Sequence, residues 1–288
     1  MWQRNNSDFY SIRNLSRSDK LTLSYLFIWI LLILIFFPKI KHATLFLILH
    51  LAAFAISLFL GSLAPKHSIL AFVRRWYYFL FILLFFAVLH YLIPSINPGN
   101  IDQYLIKFDF LLLNLNPTIW FERFYSPLLT EILLLSYLAF YYMPLFILIP
   151  FYKRKEYKNF DRFSFSILLT FYLSYIGYLL FPALGPRYFL AHLHQKSLYG
   201  IGIYQRISSS LDGLENIQWD AFPSGHVAIS LIFALFAAKY FPKTFFIMLP
   251  IIMLLIFSTV YLRYHYVVDI LAGILLFCIV AIIDKLIY

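Results

Sequence analysis

The chain has 288 residues, of which 62% are hydrophobic, 21% aromatic and only 12% charged, and its formal net charge is +10. Soluble domains carry about twice that share of charge, so the composition excludes an ordinary water-soluble globular protein. The positive balance does not indicate nucleic acid, because Lys and Arg stand in short clusters between apolar runs, the pattern that sets membrane topology.

A bilayer-crossing helix needs roughly 20 mostly apolar residues. In chain order the qualifying runs are Leu21–Phe37, Ala43–Ala64, Trp76–Ile93, Pro127–Tyr152, Phe163–Phe181, His226–Phe241, Thr244–Leu262 and Tyr266–Ile283. The first ends in FFPKIKH without small residues at a cleavage position, so it reads as a retained anchor. Pro38, Pro65, Pro94, Pro127, Pro182, Pro223 and Pro242 stand at or beside run ends, where proline starts or stops helices. Pro144 and Pro250 fall inside runs and predict kinks. Continuous rather than alternating apolarity argues against a membrane β-barrel. The expected fold is therefore all-α, a polytopic integral membrane helical bundle of about eight transmembrane helices. Residues 1–75 are expected to hold an N-terminal segment and two accessory membrane helices, and residues 76–288 the main core.

Two connections are long. Segment 97–126 is half apolar but broken by Asp102, Lys107, Asp109, Asn114, Asn116 and Pro117, and reads as an amphipathic stretch in the interface with Trp120 as an anchor. Segment 182–224 is rich in Gly, Ser, His and Tyr. Lys and Arg divide fifteen to eight between the two sides, which places both termini in the cytoplasm. Loops 182–224 and 263–265 then face outward from the cytoplasmic (inner) membrane. Cys278, the single cysteine, makes no intrachain disulfide and reads as a buried apolar filler. His42, His50, His67 and His90 read as interfacial polar residues. His192 and His194 lack the cysteines or paired acids of a metal site, so neither metal nor cofactor is expected. Glu131, early in the run after Ser126-Pro127, suits either helix-dipole support or function, and Glu122 and Arg123 pair with it or with substrate.

Three short pieces carry chemistry. FPALGPRYF holds Arg187, FPSGH holds Ser224, Gly225 and His226, and STVYLRYHYVVD holds Arg263, His265 and Asp269. A chain that crosses the bilayer each time brings all three to one face. A helix that starts at Pro223-Ser224-Gly225 offers N–H groups to an anion, and Gly225 permits close approach of an oxygen. Arg187 and Arg263 supply forked donors for phosphate oxygens. His265 and Asp269, four apart, share a helical face, so the acid can orient the imidazole for nucleophilic attack. His226 remains to protonate a leaving oxygen.

PSGH followed by His-x-x-x-Asp resembles the type 2 phosphatidic acid phosphatase superfamily over Pro127 to Ile283, with a six-helix core that begins at Trp76. The resemblance implies a metal-free phosphohistidine mechanism with His265 as nucleophile, Asp269 as its partner, His226 as general acid, and Ser224 and Gly225 as phosphate ligands. Two departures stand out. Where the first motif has Arg-Pro with a lysine seven residues earlier, this chain has Pro186-Arg187 and Leu180. Where the third begins Ser-Arg, it has Ser258-Thr259, and Arg263 is inferred to supply the lost contact. HYVVD is also similar to the signature of the inositol phosphorylceramide and sphingomyelin synthases, which pass a head group to an alcohol. The expected function is hydrolysis of a lipid-linked phosphomonoester or diphosphate. The alternatives are a head-group phosphotransferase, with His192, His194, Gln195 and Gln205 as acceptor-binding candidates, and a non-enzymatic transporter. Expected partners are a lipid phosphate substrate and membrane lipids, with no nucleic acid and no obligate protein partner.

Overall fold

The computed structural model describes residues 11–64, 68–202, 204–206 and 218–288. Pro65, His67 and part of loop 182–224 lie outside the described residues. Ten helices of nine residues or more are described: α1 Arg17–Ile35, α2 Ala43–Ser62, α3 Ser68–Ile96, α4 Asp102–Leu113, α5 Pro127–Tyr142, α6 Leu145–Lys153, α7 Tyr157–Leu180, α8 Gly225–Tyr240, α9 Pro242–Tyr261 and α10 Val267–Ile287. Among the described residues there is no strand. Seven segments of the described residues are long and apolar enough to cross a bilayer, with α5 and α6 counted as one, and α8 is a shorter apolar helix of 16 residues. The chain is an integral membrane protein with a polytopic helical fold.

The chain divides into two compact units, the first ending at Ile96 and the second starting at Asn97. The sequence reading drew this boundary after residue 75. It lies later because α3 is continuous from Ser68 past Arg74 and Pro94 and packs on α1 and α2.

In the first unit, α1 begins four residues before the apolar run because Ser16 and Asp19 form a capping box. The Ser16 N–H donates to Asp19 Oδ2 at 2.7 Å, and the Asp19 N–H donates to Ser16 Oγ at 3.2 Å. The same carboxylate accepts from Arg74 Nη1 at 3.0 Å and from the Tyr77 hydroxyl at 2.7 Å. Arg74 is thus a buried partner that ties α3 to α1, rather than a charge in a loop. His50 is also buried rather than interfacial. Its Nδ1 donates to the Phe46 carbonyl at 2.7 Å, and its ring stacks on Phe85.

In the second unit, α8 is central and packs against α7, α9 and α10, while α5 lies along α9. At Pro144, where a kink is expected, α5 ends at Tyr142 and α6 starts at Leu145 with Pro144 as its N-cap. Pro250 stays inside α9. A single residue, Phe241, joins α8 to α9, with Pro242 in the first helical position, where its missing N–H is not needed. Cys278 is exposed on α10, not buried, so it faces lipid rather than filling a core.

The interfacial segment has its polarity turned inward. On α4, Asp102, Leu105 and Asp109 are buried, whereas Tyr104, Phe108, Leu111 and Leu112 are exposed. Asp102 accepts from the Leu184 N–H at 2.7 Å, the Gly185 N–H at 2.9 Å and the Tyr266 hydroxyl at 2.8 Å. Asp109 accepts from the N–H groups of Val267 and Val268 at 2.9 and 2.8 Å, where it caps α10. Burial pushes both carboxyl groups above their ordinary range, against the pull of these donors. One amphipathic helix therefore fixes the loop before Arg187 and the start of the helix after His265.

Candidate active site

The two histidines 39 positions apart meet at one end of the second unit. His265 lies in the turn between α9 and α10, and its side chain is buried. Its Nδ1 donates to the Ala221 carbonyl at 2.7 Å. That bond fixes the tautomer of the neutral ring, and Nε2 keeps a lone pair. Nε2 points at Nδ1 of His226, 3.4 Å away.

Asp269 sits 3.4 Å from His265 Nδ1 through Oδ2. The pair does not share a helical face as the spacing suggested, because His265 precedes α10 and Asp269 is its third residue. There the carboxylate accepts the Tyr266 N–H at 2.7 Å and closes the cap. Asp269 thus lies beside the imidazole, while the short hydrogen bond to the ring comes from Ala221, a residue without a sequence signature.

His226 lies in the first turn of α8, between the rings of Tyr137 and Phe140, with centroids 4.6 and 4.3 Å away. Its Nε2 is buried and has no hydrogen-bond partner among the described residues. Tyr137 stacks in turn on Tyr264 at 4.6 Å and 12°. The Arg187 guanidinium lies over the same Tyr264 ring, 5.2 Å from its centroid, and Nη1 donates to the hydroxyl at 3.1 Å. An aromatic stack thus runs from the acid candidate to the arginine of the first motif.

Ser224 and Gly225 have local work to do. The Ser224 hydroxyl accepts from the Val227 N–H at 3.4 Å as the N-cap of α8, and its own N–H donates to the Asp269 carbonyl at 3.1 Å. The side chain is fully buried. A Cβ on Gly225 would stand 2.8 Å from the Tyr178 hydroxyl, so the glycine admits α7 rather than leaving open space beside the backbone. Gly185, before Arg187, combines φ of 79° with a Cβ position 2.7 Å from the Tyr264 carbonyl oxygen, and only glycine satisfies both.

Arg263 adopts φ of 69°, and its guanidinium is engaged by residues other than the two histidines. Nη2 donates to Glu122 Oε1 at 2.9 Å and to the Lys196 carbonyl at 2.6 Å. Glu122 also accepts from the N–H groups of Gln195 and Lys196. Arg263, expected as a phosphate ligand, is engaged in a half-buried ion pair that staples loop 195–196. Arg263 still lines a polar cavity of about 300 Å³ together with Arg187, His194, Lys196 and Ser197. Burial, reinforced by the Arg263 charge, pushes His194 down to about 4, so its ring is neutral at pH 7. Glu131 accepts from the Ile201 and Tyr204 N–H groups at 3.0 and 3.2 Å, a loop anchor and not a dipole partner alone. Of the acceptor candidates, Gln205 donates to the Gly200 carbonyl, and His194 pairs with Thr118.

The second unit is thus a helical membrane bundle with two apposed imidazoles and a buried carboxylate at one end. The sequence profile of the PAP2 superfamily matches residues 103–283, and the chain belongs to that superfamily. Among curated proteins, the chain is 31% identical over 179 residues to a PA-phosphatase related-family protein of Dictyostelium discoideum, a match covering 54% of this chain and 32% of that protein. The chain therefore spans about a third of that relative's length. No solved structure matches.

Proposed function

We propose that the chain is a membrane lipid phosphatase, which hydrolyses a lipid-linked phosphomonoester or diphosphate through a phosphohistidine on His265. The observation that carries this reading is the division of labour on that ring: Nδ1 is committed to Ala221, and Nε2 is turned toward His226. Nε2 attacks phosphorus, the bond to the lipid oxygen breaks, and His226 delivers a proton to that oxygen. Water then displaces the phosphoryl group from His265, with His226 as base. Asp269 stabilises the imidazolium that forms. Arg187 and the first turn of α8 hold the phosphoryl oxygens, with Ser224 and Gly225 setting that turn and Arg263 holding the adjacent loop.

Attack distance and proton transfer in series require about 6 Å between the two ring nitrogens, against the 3.4 Å observed. Substrate entry must therefore part the rings. His265 is held through Nδ1, so the ring that swings is His226, which rests between aromatic faces.

The test is the purified protein on a panel of lipid phosphates and diphosphates, with free phosphate as readout and radiolabelled phosphate trapped on the protein. Expected are an acid-labile, base-stable phosphoenzyme and its loss in His265→Ala. Full turnover in that variant would sink the phosphohistidine reading, and absence of turnover by the wild type on every substrate of the panel would return the chain to the transporter class.

The second reading, transfer to an acceptor alcohol, is favoured by one observation: His194, Lys196 and Ser197 line a polar cavity that Arg187 also lines. Adding inositol to the same assay separates the two. Released phosphate that gives way to a phosphorylated alcohol would replace hydrolysis by transfer.

A further inference from the structure

The far end of the second unit holds a cavity that the proposed chemistry does not use. His226 stands in the first turn of α8 and Lys239 in its last, about 20 Å apart along the axis. Around Lys239 lies a cavity of about 470 Å³ between α7, α8 and α10, lined by Arg162, Lys239 and Lys285 and by the apolar side chains of Leu235, Phe236 and Ile282.

Its polar part is strongly basic. Arg162 grips Asp284 through Nε at 3.0 Å and Nη2 at 2.6 Å, so one positive charge is balanced and the guanidinium is held in place. Its carbon also lies 5.8 Å from the Phe236 ring centroid and 5.7 Å from that of Tyr288. Among the described residues neither Lys239 nor Lys285 makes an ion pair, and both are exposed. Two cations without a carboxylate partner among the described residues therefore stand at the rim, the Lys239 ammonium 5.1 Å from the Tyr240 ring centroid.

The apolar part opens sideways. Leu235 is 41% and Ile282 60% exposed, and both lie on apolar helices of a membrane bundle, where the surrounding medium is lipid tails. A soluble anion would use the lysines and leave this wall idle. A phospholipid uses both, with its acyl chain along the wall and its phosphate between the lysines.

We propose that this cavity binds one anionic phospholipid, distinct from any substrate, with the headgroup held by Lys239 and Lys285 and a tail laid on Leu235, Phe236 and Ile282. The occupied site clamps α8 to α10 at the end where Arg162 already joins α7 to α10. The proposal stands independently of the catalytic reading.

The experiment is native mass spectrometry of the full chain released from detergent that contains phosphatidylglycerol or phosphatidylcholine, with thermal melting in nanodiscs of the same lipids. The wild type should retain one phosphatidylglycerol and melt higher in its presence. Lys239→Ala/Lys285→Ala should reduce retention on the order of tenfold and abolish the melting shift, with the phosphohydrolase activity at the other end unchanged. Lys239→Arg/Lys285→Arg should behave as wild type, and Ile282→Trp should lose the lipid with its charges intact. Equal retention of phosphatidylcholine, or undiminished retention by the double alanine variant, overturns the proposal. Displacement of the lipid by millimolar inorganic phosphate overturns it too, since that identifies a free-anion site.

Discussion

At the scale of single residues, His265 is set apart by what its neighbours leave undone. The Ala221 carbonyl takes one ring nitrogen, so Asp269 is not needed to hold the ring in place. Its Oδ2 is already bonded to the Tyr266 N–H, and its Oδ1 has no hydrogen-bond partner among the described residues. We propose that an acid so placed acts through charge. Asp269→Asn keeps an oxygen for the Tyr266 N–H and should leave folding near wild type. It should lower kcat roughly 10²–10⁴-fold by removing the counter-charge for the imidazolium, with KM little changed. Steady-state kinetics beside a melting curve checks this, and a variant that merely unfolds or keeps full kcat contradicts it. His194 offers a second measurement. Its proton affinity is depressed to about 4, below the ordinary 6.5, so the folded ring resists protonation where an unfolded one accepts it. Its contribution is present above about pH 6.5 and is lost as pH falls toward 4. Hydrogen exchange at the imidazole C2 position, read by mass spectrometry, should give a midpoint well under 5. An ordinary midpoint near 6.5 would mean that loop 190–200 does not bury this ring in solution.

At the scale of elements, α4 explains how remote motifs are held in register. Asp102 gathers Leu184, Gly185 and Tyr266, so the loop that carries Arg187 and the turn that carries His265 hang on one carboxylate. Asp102→Asn turns an N–H₂ group toward a donor and leaves at least one of these unmatched. The expected cost is about 1–3 kcal/mol, several degrees of melting temperature, with a loss of kcat because both loops loosen. An unchanged melting curve would show that the anchor is dispensable. This element also marks the limit of what the sequence revealed. The spanning runs were legible because lipid demands long uninterrupted apolarity, and His226, His265 and Asp269 because their types and spacing suit one chemistry. The acids of α4 look like interruptions in an apolar stretch, since their partners are backbone N–H groups 82 to 159 positions away. Ala221 contributes only a carbonyl, and Tyr137 lies among many aromatics of a membrane helix, so neither leaves a trace in residue type. Arg263 was legible as a cation but not by partner, because Glu122 lies 141 positions earlier.

At the scale of the whole molecule, the second unit has two chemically different ends. One carries His226, His265 and Arg187, and the other Lys153, Arg154, Arg162, Lys239 and Lys285. Basic residues that flank spanning helices are retained on the cytoplasmic side, and fifteen of the 23 Lys and Arg belong to the side expected there. We propose from this bias that the site faces away from the cytoplasm and that substrate reaches it from the outer leaflet. The single cysteine makes this testable, since Cys278→Ala gives a thiol-free chain. In that background, Lys196→Cys reports the end with the histidines and Lys155→Cys the other. Both side chains are exposed. A membrane-impermeant maleimide added to intact cells should label Lys196→Cys alone, and Lys155→Cys should react only after permeabilisation. The reverse pattern would invert the molecule, place the phosphate chemistry on the cytoplasmic face and move the Lys239–Lys285 cavity to the outer leaflet.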